Sequence, residues 1–281
     1  MIDKFEILSL SKSLNLLPTT IEKDYILGWM LMGINRHPKL KGQWIFKGGT
    51  CLKKCYFDQY RFSEDLDFSL LTPEHLDEAI LRALLQEVTQ WVYNETEILL
   101  PVQKISIDIH TNSQNQQMAE CKLTYHGPLK QKTNFPRLKL DLTTSEPLIL
   151  PPEERPILHV YSDQPKNAPS IMCYCYEEIF AEKLRALFER LRPRDLYDVV
   201  HLYQERSRLP KQNHLLKSIQ KKFDAKKMPL PRLEYLENHA YKQMLPTLWE
   251  NMLAHQVAKL NSYDDFWSKL PDIFDWLYSV E

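Results

Sequence analysis

Ile45-Phe-Lys-Gly-Gly-Thr50 and, a short helix-length further on, Arg61-Phe-Ser-Glu-Asp-Leu-Asp-Phe68 are the stretch on which the reading of this chain turns. Trp44, Ile45 and Phe46 start as an apolar strand. Two adjacent glycines after a strand let the backbone turn tightly with its N–H groups exposed, and nothing bulky keeps an anion away. Between the halves, Leu52, Cys55 and Tyr56 recur at helical spacing, so residues 50–58 read as a short helix. In the second half Phe62, Leu66 and Phe68 alternate with polar residues, which as a strand puts Asp65 and Asp67 on one face. Like charges held that close call for a cation. Magnesium, or manganese in its place, takes one or two carboxylates together with waters and phosphate oxygens. Separately the signals are weak, because Gly-Gly is mostly a turn and Asp-x-Asp mostly a solvated strand face. Their order, as strand, helix and strand, makes the pair stronger.

Outward from this block, residues 19–34 read as a helix capped by Thr19 or Thr20, with Ile21, Tyr25, Ile26 and Trp29 on one side. Thr72-Pro73-Glu74 reads as the start of a helix running to about residue 93 on a stripe of Leu76, Ile80, Leu84, Val88, Trp91 and Val92. Three alternating runs, 105–109, 119–123 and 137–142, read as strands. In the last of these Leu138, Leu140 and Leu142 take the core face and leave Lys139 and Asp141 on the other. Ile105, Ile107 and Ile109 set Asp108 on a polar face in the same way. Residues 147–169, dotted with proline, read as a connector. From Tyr176 onward nearly everything reads as helix, including 176–203, where Lys183 and Arg185 are followed by Asp195 and Asp198 at i, i+3.

The 281 residues, 43% of them apolar, are enough for a real core and fit two domains better than one. The opening Met1-Ile-Asp-Lys-Phe5 lacks the plan of a signal peptide and no run is apolar enough for a membrane helix, so a soluble cytoplasmic protein is expected. Five cysteines (Cys51, Cys55, Cys121, Cys173 and Cys175) without a Cys-x-x-Cys pair fit reduced thiols. Cys51 and Cys55 have no histidine pair nearby and read as core packing rather than a metal site. The net charge of −1 hides an asymmetry: residues 183–232 carry 14 Lys and Arg against 5 Asp and Glu. Arg190, Arg192, Arg194, Arg206, Arg208, Lys211, Lys217, Lys221, Lys222, Lys226 and Lys227 form a density suited to an RNA backbone, or to a set of solvated helix faces.

The glycine turn followed by Asp-x-Asp resembles the polymerase-beta-like nucleotidyltransferase superfamily. Phe46 to Lys53 with Arg61 to Phe68 resembles its AbiEii/AbiGii branch, the toxins of bacterial type IV toxin-antitoxin and phage abortive-infection systems. Ile21-Glu-Lys-Asp-Tyr-Ile26, Ala181-Glu-Lys-Leu-Arg185 and Arg194-Asp-Leu-Tyr-Asp198 are similar to further motifs of that branch. The superfamily often has Gly-Ser where this chain has Gly48-Gly49, leaving Thr50 as the nearest hydroxyl.

The resemblance implies an α+β fold, a nucleotidyltransferase-like mixed β-sheet flanked by helices in residues 1–170, with a helical C-terminal domain in 171–281 completing an NTP and acceptor cleft. It implies Mg²⁺-dependent transfer of NMP from an NTP to an acceptor hydroxyl, with pyrophosphate released. Lys47, Gly48, Gly49, Thr50, Arg61 and Ser63 would hold the nucleotide. Asp65, Asp67 and a third acid would hold metal, Asp141 being the candidate and Asp108 its competitor. Lys183 and Arg185 would meet the triphosphate, oriented by Asp195 or Asp198. The implied acceptor is RNA, such as the 3′ end of tRNA. A cognate antitoxin encoded nearby would counter the activity without necessarily binding this chain. A protein hydroxyl is the rival acceptor, and a non-catalytic nucleotide-binding module the rival class, although a degenerate copy would be expected to lose one acid of the pair.

Overall fold

A computed structural model describes residues 1–111, 116–167, 169–208 and 212–279. The chain forms two compact units, one of Met1–Glu146 with Pro152–Cys173 and one of Pro147–Pro151 with Tyr174–Glu281.

The first unit is built on a seven-stranded sheet. Its strands are β1 (Trp44–Lys47), β2 (Asp65–Leu70), β3 (Ser106–Thr111), β4 (Gln117–Thr124), β5 (Arg137–Thr143), β6 (Glu153–Pro156) and β7 (Ser170–Cys173), in the order β3-β4-β5-β2-β1-β7-β6. β2 lies parallel to β5 and β1 parallel to β7, while the remaining pairs are antiparallel. Alternation makes the three sheet-forming runs work: Leu66 and Phe68 of β2, Leu138, Leu140 and Leu142 of β5, and Ala119, Cys121 and Leu123 of β4 are all buried.

Helices α1 (Lys4–Leu14), α2 (Pro18–Arg36) and α4 (Glu78–Thr96) belong to this unit, as does the short α3 (Gly48–Cys51), which continues as a π-turn over Leu52–Tyr56. In α2 every residue from Ile21 to Ile34 except Lys23 is buried. Its Asp24 pairs with Lys54 at 2.6 Å, both side chains nearly dry, and Tyr161 donates to the same carboxylate at 2.8 Å. The opening motif therefore anchors the helix that follows the glycine turn.

Three expectations need correction. The first residue flanking α2 is Leu17, with Pro18 in the first turn, so neither Thr19 nor Thr20 caps it. Thr72-Pro73 opens only a 3₁₀ turn, Pro73–Leu76, and α4 starts afterwards with Asp77 accepting from the Ile80 N–H; Ile80 is exposed, and the buried stripe runs through Leu81, Leu84, Leu85, Val88 and Val92. The connector at 147–169 contains β6, and β7 follows directly. Each has four residues, too few for an alternating pattern, and β6 ends on Pro156 at the sheet edge, where proline is tolerated.

The second unit is helical: α5 (Tyr176–Arg190), α6 (Pro193–Gln204), α7 (Gln212–Ala225), α8 (Leu233–Glu237), α9 (Leu245–Leu253), α10 (Tyr263–Trp267) and α11 (Leu270–Tyr278). Glu178 and Lys222, both fully buried, pair at 2.7 Å; Glu178 also accepts from the Ile149 and Leu150 N–H groups, and Lys222 donates to the Pro147 carbonyl. This clamp makes 147–151 part of the helical unit. Among the described residues, no helix is long and apolar enough to cross a membrane.

Candidate active site

The turn after β1 is possible only because of its two glycines. Gly48 has φ +81°, a left-handed conformation costly for other residues, and a Cβ there would collide with the Asp67 Oδ2. A Cβ on Gly49 would lie 2.7 Å from Arg61 Nη2 and 3.1 Å from Ser63 Oγ. The segment leading into β2 thus closes over the turn, carrying the Asp67 carboxylate against one glycine and the Arg61 guanidinium against the other. Arg61 is buried. Thr50 is buried as well, and its hydroxyl donates to the Asp65 carbonyl at 2.5 Å, so it fastens the turn to β2.

Strand register sets a polar row across the sheet. Lys47 pairs with Asp67, Asp67 with Asp141, Asp141 with Glu120 and Glu120 with Asp108, on β1, β2, β5, β4 and β3. Neighbouring strands lie about 4.8 Å apart, so Asp141 is one strand from Asp67 and Asp108 is three, about 14 Å. Asp65, two residues before Asp67, shares its face and stands opposite Lys139.

Lysines are interleaved with these acids. Lys139 lies 2.9 Å from both Asp141 and Glu120, and Lys122 lies 2.7 Å from Glu120. Hydrogen bonds from Lys122 and Lys139 hold the Glu120 carboxyl down to about 2. Burial works against the charge on Lys139, but its bonds to Glu120 and Asp141 outweigh that and raise its pKa. At the other end of the row, Lys47 Nζ stands 3.9 Å from Glu146, with both side chains nearly buried. Asp65, Asp67 and Asp141 are a hard, all-oxygen donor set on a half-exposed face, and Asp67 fills the space a Cβ at Gly48 would take. That chemistry fits magnesium or manganese and suits softer ions poorly.

The helical unit places its motif residues in ion pairs. Lys183 meets Asp198 at 2.9 Å, and Arg185 meets Glu189 one turn along α5. Asp195 is held in a bidentate pair with Arg190, both bonds 2.7 Å, so of the two acids named for orienting Lys183 it is Asp198 that meets it. Of the basic block, Lys183, Arg185 and Lys222 are buried, and Lys211 lies outside the described residues. Arg192, Arg206, Lys217, Lys221, Lys226 and Lys227 are exposed.

Glu120, Glu146 and the bridging role of Lys139 escaped the sequence reading. Glu120 carried a usable signal, since alternation in 119–123 puts it on the same polar face as Asp141. Glu146 carried none, because it reaches Lys47 from a loop.

The fold is shared with a solved structure of MenT4, nucleotidyltransferase toxin Rv2826c from Mycobacterium tuberculosis H37Rv, at a TM-score of 0.69 and 16% sequence identity, over 100% of this chain and 91% of that one. Residues 29–278 match the family described as Nucleotidyl transferase AbiEii toxin, Type IV TA system, and the chain belongs to that family. As a nucleotidyltransferase toxin of a type IV system it acts on an NTP and has an antitoxin as partner. No curated protein matches the chain.

Proposed function

We propose that this toxin transfers NMP from an NTP to a hydroxyl of RNA, such as the tRNA 3′ end, with Mg²⁺, and releases pyrophosphate. The observation that carries the reading is the register of Asp67 with Asp141 on parallel strands, with Asp65 on the same face and Gly48 packed under Asp67. Asp65, Asp67 and Asp141 would hold the magnesium, which when bound offsets phosphate charge and favours the attacking oxyanion. The backbone N–H groups of Gly48 and Gly49 are given to the phosphates, with Lys47 and Arg61 as cations and Ser63 as a hydroxyl donor. Thr50 fixes the turn that presents them. In the helical unit, Lys183 is kept as a cation for phosphate, its ammonium oriented by Asp198, and Arg185 as a second. Exposed Lys217 and Lys221, one turn apart on α7, with Lys226 and Lys227 beyond them, support a polyanionic acceptor over a protein hydroxyl. The antitoxin is taken to counter the activity without necessarily binding this chain.

The test is to incubate the protein with each labelled NTP, magnesium and total RNA. Wild type is expected to label RNA and the Asp65→Ala, Asp67→Ala variant to leave it unlabelled. Equal labelling by both would end the transferase mechanism assigned to these residues, and labelling of protein alone would overturn the acceptor. Growth arrest on expression, lost in the same variant, checks that the chemistry is the toxic activity.

A further inference from the structure

Beneath the glycine turn lies a second cluster, unconnected with the acids. Cys51 ends α3, Cys55 sits on the π-turn four residues later, and Cys173 is the last residue of β7, the neighbour of β1. All three are free thiols, exposed by 0%, 3% and 0%, and their sulfurs lie within 4.8 Å of one another. Among the described residues no histidine or carboxylate joins the group. π-turns interrupt helices mostly where function requires it; this one brings Cys55 back onto Cys51.

We propose that Cys51, Cys55 and Cys173 form a three-sulfur site for one soft monovalent ion, Cu(I). Metal–sulfur bonds of about 2.3 Å in a trigonal site set the sulfurs about 4 Å apart, so less than an ångström of closure is needed. Zinc prefers four ligands, and hard ions prefer oxygen, which leaves a three-coordinate thiophilic ion as the best match. On binding, three sulfur–copper bonds form and the three thiol protons leave to solvent. The product carries two negative charges, and Arg155, whose Nε donates to the Cys55 carbonyl at 3.0 Å, offsets part of that. An ion here would tie the helix carrying Gly48 and Gly49 to β7. Sequence reading left Cys51 and Cys55 as core packing because the third ligand is remote along the chain.

The experiment titrates the reduced, full-length protein anaerobically with Cu(I) held by a chromophoric chelator. Wild type and Cys121→Ser are expected to withdraw one equivalent per chain and gain an ultraviolet sulfur-to-copper charge-transfer band. Cys55→Ser and Cys173→Ser should lose affinity by more than the roughly hundredfold that removing even an outer-shell partner costs. Should a serine variant fail to fold by circular dichroism, X-ray absorption on the copper-loaded wild type decides, a sulfur-only shell supporting the site and nitrogen or oxygen neighbours overturning it. No uptake, uptake unchanged in the Cys55→Ser, Cys173→Ser variant, or retention of Zn(II) in preference to Cu(I) would each overturn the assignment.

Discussion

The polar face of β2 and β5 and the interior of the helical unit both collect acids beside lysines, under opposite conditions of exposure. Asp141 and Lys139 are exposed by 33% and 34%, whereas Asp198, Glu178 and Lys222 are at 0%. On the sheet face solvent screens the charges, so partners need not match one to one, and Lys139 is shared between Asp141 and Glu120. In the dry interior each carboxylate must have its own cation in fixed geometry, since an unpaired buried charge is far more costly than the pair is beneficial. Exposure therefore separates charges available for chemistry from charges that hold architecture.

The comparison breaks if removing the sheet acids unfolds the protein. For Asp65→Ala with Asp67→Ala, transfer to the acceptor is expected to fall by at least about a thousandfold, the loss typical of removing transition-state charge stabilisation, with an unchanged thermal midpoint. Next in size is the buried pair: Lys222→Met leaves Glu178 uncompensated and should cost about 3–5 kcal/mol in urea unfolding, most of it recovered by adding Glu178→Leu. Gly48→Ala forces a Cβ into the Asp67 carboxylate at positive φ, so about 1–3 kcal/mol of stability and most of the transfer activity should go together.

Two finer measurements sharpen the contrast. Lys139→Met removes the cation now paired with Asp141, and calorimetry should show magnesium bound about tenfold more tightly; weaker binding would make Lys139 part of the metal site's support. Smallest is a pH effect at Glu120. Its folded pKa, about 2, lies below the ordinary 4.5, so its stabilisation is complete above about pH 4.5 and is lost as pH falls towards 2. Because the group is partly solvated the contribution should stay under about 1 kcal/mol, read as the difference in acid unfolding between wild type and Glu120→Gln.

How much of the site could be read in advance follows from the range of the forces involved. By itself the sequence determined the glycine turn, the helix after it, and the shared face of Asp65 and Asp67, together with the facing of Asp141 and Asp108. These depend on backbone freedom at two residues and on a side-chain period of two, both local properties. Only the tertiary structure decided that Asp141 lies beside Asp67 while Asp108 stands three strands away, that Asp195 belongs to Arg190, that Thr50 bonds the Asp65 carbonyl, and that Cys173 meets Cys51 and Cys55. Alternation fixes which way a side chain points, but strand order is set by how the whole sheet buries its apolar face. That is a sum over contacts far apart in the chain, to which no single segment holds the answer.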